Sequence, residues 1–466
     1  MFFHQFYLGC LAHASYLIGD EKTKTAIVVD PQRDIDQYVD LAAEQGFQIE
    51  HVFLTHFHAD FLAGHLELRE RFGATLYIGQ RGETEYDAVR VKEGDRFEWG
   101  DLAIEVRETP GHTPESVCLV VYDDATAGAA PYGVLTGDTL FIGDVGRPDL
   151  FGSVGYTSEQ LAGLLYDSLH QKVMTLPDET KVYPAHGAGS MCGKNLSTDT
   201  VSTIGAQRLS NYALKAPSKE KFIEQVTADQ PEAPKYFAID AKLNQMERPI
   251  LDAEIERAMV PYSLDEFLTR SAGAQVLDTR EAEEFSSGHL PGSVNIGLEG
   301  RFATWCGTLL DKETPIWVVA PPGRERESIL RLGRIGFDNA IGYLENAEEA
   351  LRQGETVKFG RVDVDELARD RTQVTVVDIR QPGEFETSHI EGSISIPLAH
   401  VAERAAEIPR TGEVAFICRT GYRSTIAISL LEPLGFTNLV DLRGGIVAWG
   451  DSGQPVTGAA PNCSAG

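Results

Sequence analysis

Short β-rich runs alternate with helical stretches over the first 210 residues or so. AIVVD at 26–30 and HVFLT at 51–55 are apolar and β-branched, the pattern of buried strands. Between them, DIDQYVDLAAEQGF has helical spacing and ends near Gly46, a residue suited to the turn that closes a helix. The apolar start, MFFHQFYLGCLAHASYLIGD, reads as one or two strands, since it lacks the basic flank and small-residue cleavage site of a secretion signal. No uninterrupted apolar run approaches the ~18 residues of a membrane span. Residues 216–260 are polar, Pro-punctuated and partly helical, and are expected to form a connector.

The remainder repeats itself. VLDTREAEEFSSGHLPGSVNI (276–296) aligns with VVDIRQPGEFETSHIEGSISI (376–396), matching Asp278 to Asp378, Arg280 to Arg380, Phe285 to Phe385, His289 to His389 and Gly292 to Gly392. GRIGFDNAIGYLENAEEAL (333–351) echoes LEPLGFTNLVDLRGGIVAW (431–449). A repeat this long is two copies of a small domain, not a solenoid unit. Each copy alternates apolar strand runs with helical segments, which predicts a parallel sheet covered on both faces. The expected division is 1–215, a connector at 216–260, copies at 261–355 and 356–455, and a tail at 456–466.

Length and charge narrow the functions. The 466 residues suit about three domains. With 41 basic and 70 acidic residues, the formal charge of −29 disfavours nucleic acid and anionic membranes as partners. Hydrophobic residues at 42% and charged residues at 24% are ordinary for a folded chain and exclude disorder. Six cysteines without a C-x-x-C pair are not a disulfide framework; they fit a reducing cytosol, so a cytoplasmic location is expected.

Candidate chemistry gathers at strand ends. THFHADF (55–61) follows an apolar run and presents His56, His58 and Asp60; TPGHTPES adds His112, LTGDTLF adds Asp138 and VYPAHGAGS adds His186. Four strand-end loops that each offer an imidazole or carboxylate point to a metal site. His4, His13, His51, His65 and His170 are read as ordinary solvated or packed residues. Cys192 lies six residues past His186 in a glycine-rich loop, where Gly187, Gly189 and Gly193 allow a ligand to approach the backbone.

These motifs resemble the metallo-β-lactamase fold, an αβ/βα sandwich with metal between the sheets. The family motif H-x-H-x-D-H here ends in Phe61. Phenylalanine has no lone pair, so the second metal position of the dinuclear zinc hydrolases of this fold is damaged. Within the fold, the sequence is similar to the persulfide dioxygenase branch, also in GDVGRPDL (143–150). That resemblance implies one Fe(II) per chain on His56, His112 and Asp138, with three positions open for a sulfur substrate and dioxygen. It implies that His58, Asp60 and His186 orient ligands and bound water. Arg147 is left as either a contact for a substrate carboxylate or half of a salt bridge. Cys192 is left as a persulfide carrier, a substrate contact or a plain loop cysteine. Nitrogen and oxygen ligands alone also admit zinc.

In the second copy, FICRTGYRSTIAISLLEPLGF (416–436) delivers Cys418 from an apolar run into a six-residue loop, with a helical pattern beginning near Ser424. Loop amides and a helix N-terminus converging on sulfur favour a thiolate. Arg419 and Arg423 add donors for an anionic sulfur substrate. The segment resembles a rhodanese domain, supported by Asp378 to Arg380 and by LRGGIVAW (442–449). The first copy has Ala320 where Cys418 would stand, so it is a degenerate rhodanese-like copy, expected to serve as scaffold.

The whole chain thus resembles a persulfide dioxygenase–rhodanese fusion. That implies oxidation of glutathione- or coenzyme A-type persulfides to sulfite, and sulfur exchange among persulfide, sulfite and thiosulfate at Cys418. The small-molecule partners would be persulfides, sulfite, thiosulfate and dioxygen, with no nucleic acid and no membrane, and a homo-oligomer is expected. The alternative is a glyoxalase II-like zinc thioesterase with an attached sulfurtransferase.

Overall fold

The two apolar runs are neighbouring parallel strands, Thr25–Val29 and Gln48–Phe53. The helix expected between them spans Asp36–Gln45 and closes on Gly46, whose φ of 71° suits glycine. The computed structural model describes residues 1–124, 128–150, 155–230 and 232–458. Most of the expected tail, from 459 on, lies outside the described residues. Two compact units form: Met1–Glu254 with Gly333–Phe337, and Ile255–Leu332 with the chain from Asp338 onward.

The first unit holds two six-stranded sheets. One orders β1 (Phe2–Leu8), β2 (His13–Gly19), β3 (Thr25–Val29), β4 (Gln48–Phe53), β5 (Thr75–Gly79) and β6 (Val89–Val91) in sequence. The other comprises β7 (Arg96–Trp99), β8 (Leu102–Glu108), β9 (Val117–Tyr122), β10 (Gly133–Gly137), β11 (Lys181–Pro184) and β12 (Ser202–Thr203), again in chain order. Side chains alternate along a strand, so β3 sends Ile27 and Val29 to one face and Ala26 and Val28 to the other. Ile27 and Val29 meet Ile104, Leu119 and Leu135 of the second sheet, forming the core between sheets. Val28 instead packs on Tyr38 and Ala42 of the helix at 36–45. The outer face of the second sheet, with Val120 and Val182, is covered by Leu165 and Leu169 of the helix Ser158–Gln171. The layers are those of an αβ/βα sandwich, the metallo-β-lactamase fold.

The stretch expected as a connector is helical at Lys219–Thr227, Tyr236–Leu243 and Leu251–Ala258. Phe222 and Val226 enter the core beneath the second sheet. Asn244 is fully buried, and its Nδ2 donates to the carbonyls of His58 and Phe61 at 2.8 Å each. Its Oδ1 accepts from the Ala63 amide at 2.9 Å.

The second unit contains two parallel five-stranded sheets. The first is built from β13 (Pro261–Tyr262), β14 (Gln275–Asp278), β15 (Val294–Asn295), β16 (Ile316–Val319) and β17 (Ala340–Leu344), ordered β13-β17-β16-β14-β15. The second is built from β18 (Gly360–Val362), β19 (Thr375–Asp378), β20 (Ile394–Ser395), β21 (Val414–Ile417) and β22 (Leu439–Leu442), ordered β18-β22-β21-β19-β20. The duplication extends to side chains. Arg280 meets Asp278 and Arg380 meets Asp378, both at 2.6 Å. His289 donates to the Phe285 carbonyl at 2.8 Å, and His389 to that of Phe385 at 2.9 Å. Among the described residues, no helix is long and apolar enough to cross a membrane.

Replacing Asn244 by alanine strands an amide and two carbonyls inside the loop that carries His58 and Asp60. At about 1–3 kcal/mol per buried unpaired group, softened by relaxation, the expected loss is about 3 kcal/mol. Urea unfolding of Asn244→Ala checks it; a change under about 0.5 kcal/mol, the size of an ordinary surface substitution, contradicts the clamp.

Candidate metal centre and sulfur-transfer loop

Strand ends bring the metal-binding candidates together. His56, His58 and Asp60 follow β4, His112 sits in the turn between β8 and β9, Asp138 follows β10, and His186 follows β11. All are buried. His56 Nε2 and His112 Nε2 lie 3.7 Å and 3.4 Å from Asp138 Oδ2. Ligand atoms about 2.1 Å from a shared ion stand roughly 3.0–3.7 Å apart at angles of about 90–120°, so the trio fits one.

The opposite ring nitrogens set the orientation. His112 Nδ1 donates to the Arg147 carbonyl at 2.9 Å. Thr55 donates its hydroxyl to Asp30 at 2.8 Å and therefore accepts from His56 Nδ1 at 2.9 Å. Both Nε2 lone pairs are left for an ion. Close approach also demands Gly146, where a Cβ would lie 1.9 Å from the Asp138 carbonyl and 3.0 Å from the His112 ring.

Protonation states suit metal binding. Burial pushes His56 well below the ordinary histidine range, with neighbouring His58 adding to the effect. Burial lowers His112 too, against the pull of Asp138. For Asp138, burial favours the neutral acid, but His186 and His56 outweigh it and hold the carboxyl well below its ordinary value. Two neutral imidazoles and one carboxylate are the forms a metal takes up.

A second cluster adjoins the first. His186 Nδ1 is 2.8 Å from Asp138 Oδ1, and its Nε2 is 3.0 Å from Asp60. Ligand atoms of His58, Asp60 and His186 also lie within 4.8 Å of one another. Phe61 is fully buried, its ring 4.4 Å from that of His58 and 4.2 Å from that of His13. His13, read from sequence as an ordinary residue, therefore borders the site, and it bridges backbone with His186. Cys192, Asp138 and His186 form a further set within 4.8 Å. Burial, with Asp60 and Asp138 nearby, pushes the Cys192 thiol well up, so it stays protonated near neutral pH. Arg147 is gripped by Asp149 through two bonds of 2.7 Å and donates to the Met191 carbonyl at 3.1 Å. Its guanidinium is thus engaged within the protein, and its carbonyl steadies His112.

A cavity of about 620 Å³ opens beside these loops. Phe57 and Ala59, which flank His58, line it together with Glu115, Tyr156 and Phe237. The exposed Arg81 and Lys242 also line it.

In the second unit Cys418 follows β21, and its sulfur accepts the Gly421 amide at 3.0 Å. The helix begins at Tyr422, two residues before the expected Ser424, because Gly421 reverses the chain at φ 96°. Ser424 Oγ lies 3.6 Å from Cys418 Sγ and donates to Asp441. Arg423 is paired with Glu384 at 2.7 and 2.8 Å, a partner the sequence did not suggest, while Arg419 is exposed. In the first copy Ala320 is buried, and Arg324 of that loop is held by Glu299 at 2.5 Å and by Glu327 at 2.6 Å.

Stacked sheets with histidines and aspartates at their strand ends define a metallo-β-lactamase type of protein, and the chain's relatives agree. The metallo-beta-lactamase superfamily profile matches residues 8–186, and the rhodanese-like domain profile matches 263–351 and 363–452. The chain is 32% identical over 228 residues to the mitochondrial persulfide dioxygenase ETHE1 of Bos taurus, covering 48% of this chain and 80% of that protein. A metallo-beta-lactamase structure from Staphylococcus aureus subsp. aureus COL superposes with a TM-score of 0.67 at 33% identity, covering 74% of this chain and 99% of that one. A hydroxyacylglutathione hydrolase of Rhizobium etli is 35% identical over 177 residues, covering 36% of this chain and 60% of that enzyme. The chain belongs to the metallo-β-lactamase superfamily, as a fusion of an ETHE1-like persulfide dioxygenase domain with two rhodanese-like domains.

Because His56 and His112 stay neutral below the ordinary histidine value of 6.5, protons compete for the metal only under that pH. Metal retained after dialysis is expected to be constant from about pH 8 down to about 6.5 and to fall below it. Release with a midpoint at or above that value contradicts the assignment.

Proposed function

We propose that the first unit is an Fe(II) persulfide dioxygenase acting on low-molecular-weight persulfides of glutathione or coenzyme A type. The persulfide RSSH, dioxygen and water become the thiol RSH, sulfite and two protons. The observation that carries this reading is the convergence of His56, His112 and Asp138 on one point while Phe61 occupies the last position of the motif. Two imidazoles and one carboxylate are the facial set of non-haem iron oxygenases. Bound iron would supply the dioxygen chemistry that side chains cannot.

The chain's own groups do the rest. The cavity of about 620 Å³ is large enough for a tripeptide-sized thiol. Arg81 and Lys242, which share the lining with Glu83 and Glu115, offer donors to the carrier's carboxylates or phosphates, and Phe57, Tyr156 and Phe237 cover its apolar part. His186, held by Asp138 and Asp60, can keep a proton beside the reacting sulfur. Burial pushes His186 down, but these two carboxylates prevail and raise it well above the ordinary value. Cys192 presents a neutral thiol at the same place and can position the substrate sulfur as a hydrogen-bond donor.

The second unit is proposed to be a thiosulfate sulfurtransferase. The Cys418 thiolate attacks the outer sulfur of thiosulfate, the S–S bond breaks with its electron pair leaving on sulfite, and Cys418 keeps a persulfide. The reverse step makes thiosulfate from the sulfite released by the first unit. The Gly421 amide at 3.0 Å and the N-terminus of the helix Tyr422–Leu431 support the thiolate.

Asp138→Asn is expected to lower persulfide-dependent oxygen uptake at least a thousandfold and leave thiosulfate sulfurtransfer within twofold. Cys418→Ser is expected to do the opposite. Joint loss of both activities in either variant, with the fold intact, contradicts two separate sites. Hydrolysis of a glutathione thioester by zinc-loaded protein without oxygen uptake would favour the thioesterase reading that the Rhizobium etli relative suggests.

A further inference from the structure

The copy without a nucleophile is in close contact with the loop that has one. The Tyr422 hydroxyl, one residue past Gly421, donates to the Gly297 carbonyl of the first copy at 2.8 Å. The Tyr422 ring lies over Gly300, where a Cβ would come within 2.3 Å of it. Along the same helix, Thr425 donates to Asn295 at 3.1 Å and Ser429 Oγ accepts the Asn295 amide at 3.1 Å. A charged chain runs in parallel. Ser424 gives its only proton to Asp441, whose other oxygen accepts Arg361 Nε at 2.8 Å. Arg361 Nη1 reaches Glu283 of the first copy at 2.7 Å.

We infer that the degenerate copy is a working part of the sulfurtransferase site, holding the Cys418 loop through Tyr422 and setting its charge through Glu283, Arg361, Asp441 and Ser424. With its proton committed to Asp441, Ser424 faces Cys418 as an acceptor. It can take a hydrogen bond from the thiol but gives none to the thiolate. The thiolate then depends on the Gly421 amide, whose position Tyr422 fixes. Other charges near Cys418 are Arg419 in the loop, Arg423 with Glu384, the Asp378–Arg380 pair at the end of β19, and Arg443, which also contacts Glu283. Arg423 is balanced by Glu384 and Arg380 by Asp378, so Asp441 is the anion linked to the sulfur through one hydroxyl. The first copy thereby acts through positioning residues and touches no substrate.

The inference rests on the sulfurtransferase reading, and full-length protein tests the two apart. The readouts are thiosulfate-to-thiol sulfur transfer and the pH dependence of iodoacetamide labelling of Cys418, followed on its peptide by mass spectrometry. Asp441→Ala removes the acceptor of the Ser424 proton, leaves that proton free for the thiolate, and is expected to shift the labelling midpoint down by about one pH unit. Tyr422→Phe and, from the other copy, Gly300→Leu are expected to shift it up and to slow transfer about tenfold. Should Gly300→Leu fold poorly, Tyr422→Phe still decides. If the native chain transfers sulfur and no variant moves the labelling curve or the rate beyond twofold, the inference is overturned. If the native chain transfers none, yet the curve shifts as stated, the coupling between copies holds and the sulfurtransferase reading fails.

Discussion

The molecule depends on holding one buried carboxylate, Asp138, among imidazoles. Burying a charge is costly unless it is partnered; His186, 2.8 Å away and held protonated by Asp138 and Asp60, is one partner, and an ion shared with His56 and His112 would be the other. Each partner must arrive from a different strand end, so the stacking of two sheets is what makes the centre possible. The cost is shared outward: Thr55 and Asp30 steady His56, the Arg147 carbonyl steadies His112, and Asp149 pins Arg147. Asn244 secures the loop from a segment far along the chain.

The second unit solves a related problem by duplication. Both copies keep the Arg–Asp pair and the His–Phe stack at matching places, while only one keeps a cysteine at the catalytic loop position. In the other, Ala320 removes the nucleophile, and Arg324 of the same loop is paired with Glu299 and Glu327. That copy is freed from chemistry but not from contact, since its Gly297 and Gly300 fit Tyr422. With −29 overall, the anionic sulfur species proposed as substrates would meet repulsion at long range, so their selection would fall to local donors such as the Gly421 amide and Arg81.

Much of this was legible in the residues alone. The apolar, β-branched runs at 26–30 and 51–55 predict buried strands, and the repeated segments at 276–296 and 376–396 predict paired domains, because both signals are read directly from the residues. Histidines and aspartates directly after such runs point to one centre for the same reason. His13 was not legible: its role comes from a bridge to His186 between distant segments. Asn244 was hidden in a polar stretch whose helices pack only in three dimensions. The Arg423–Glu384 pair and the early helix start at Tyr422 likewise arise from tertiary contact and from the backbone of Gly421.

The most direct test measures oxygen uptake, sulfite release and metal content on one preparation given glutathione persulfide. The account predicts one dioxygen consumed per sulfite formed, at a rate proportional to iron and approaching one iron per chain. Full metal occupancy by zinc, with a thioester hydrolysed and no oxygen consumed, would contradict it.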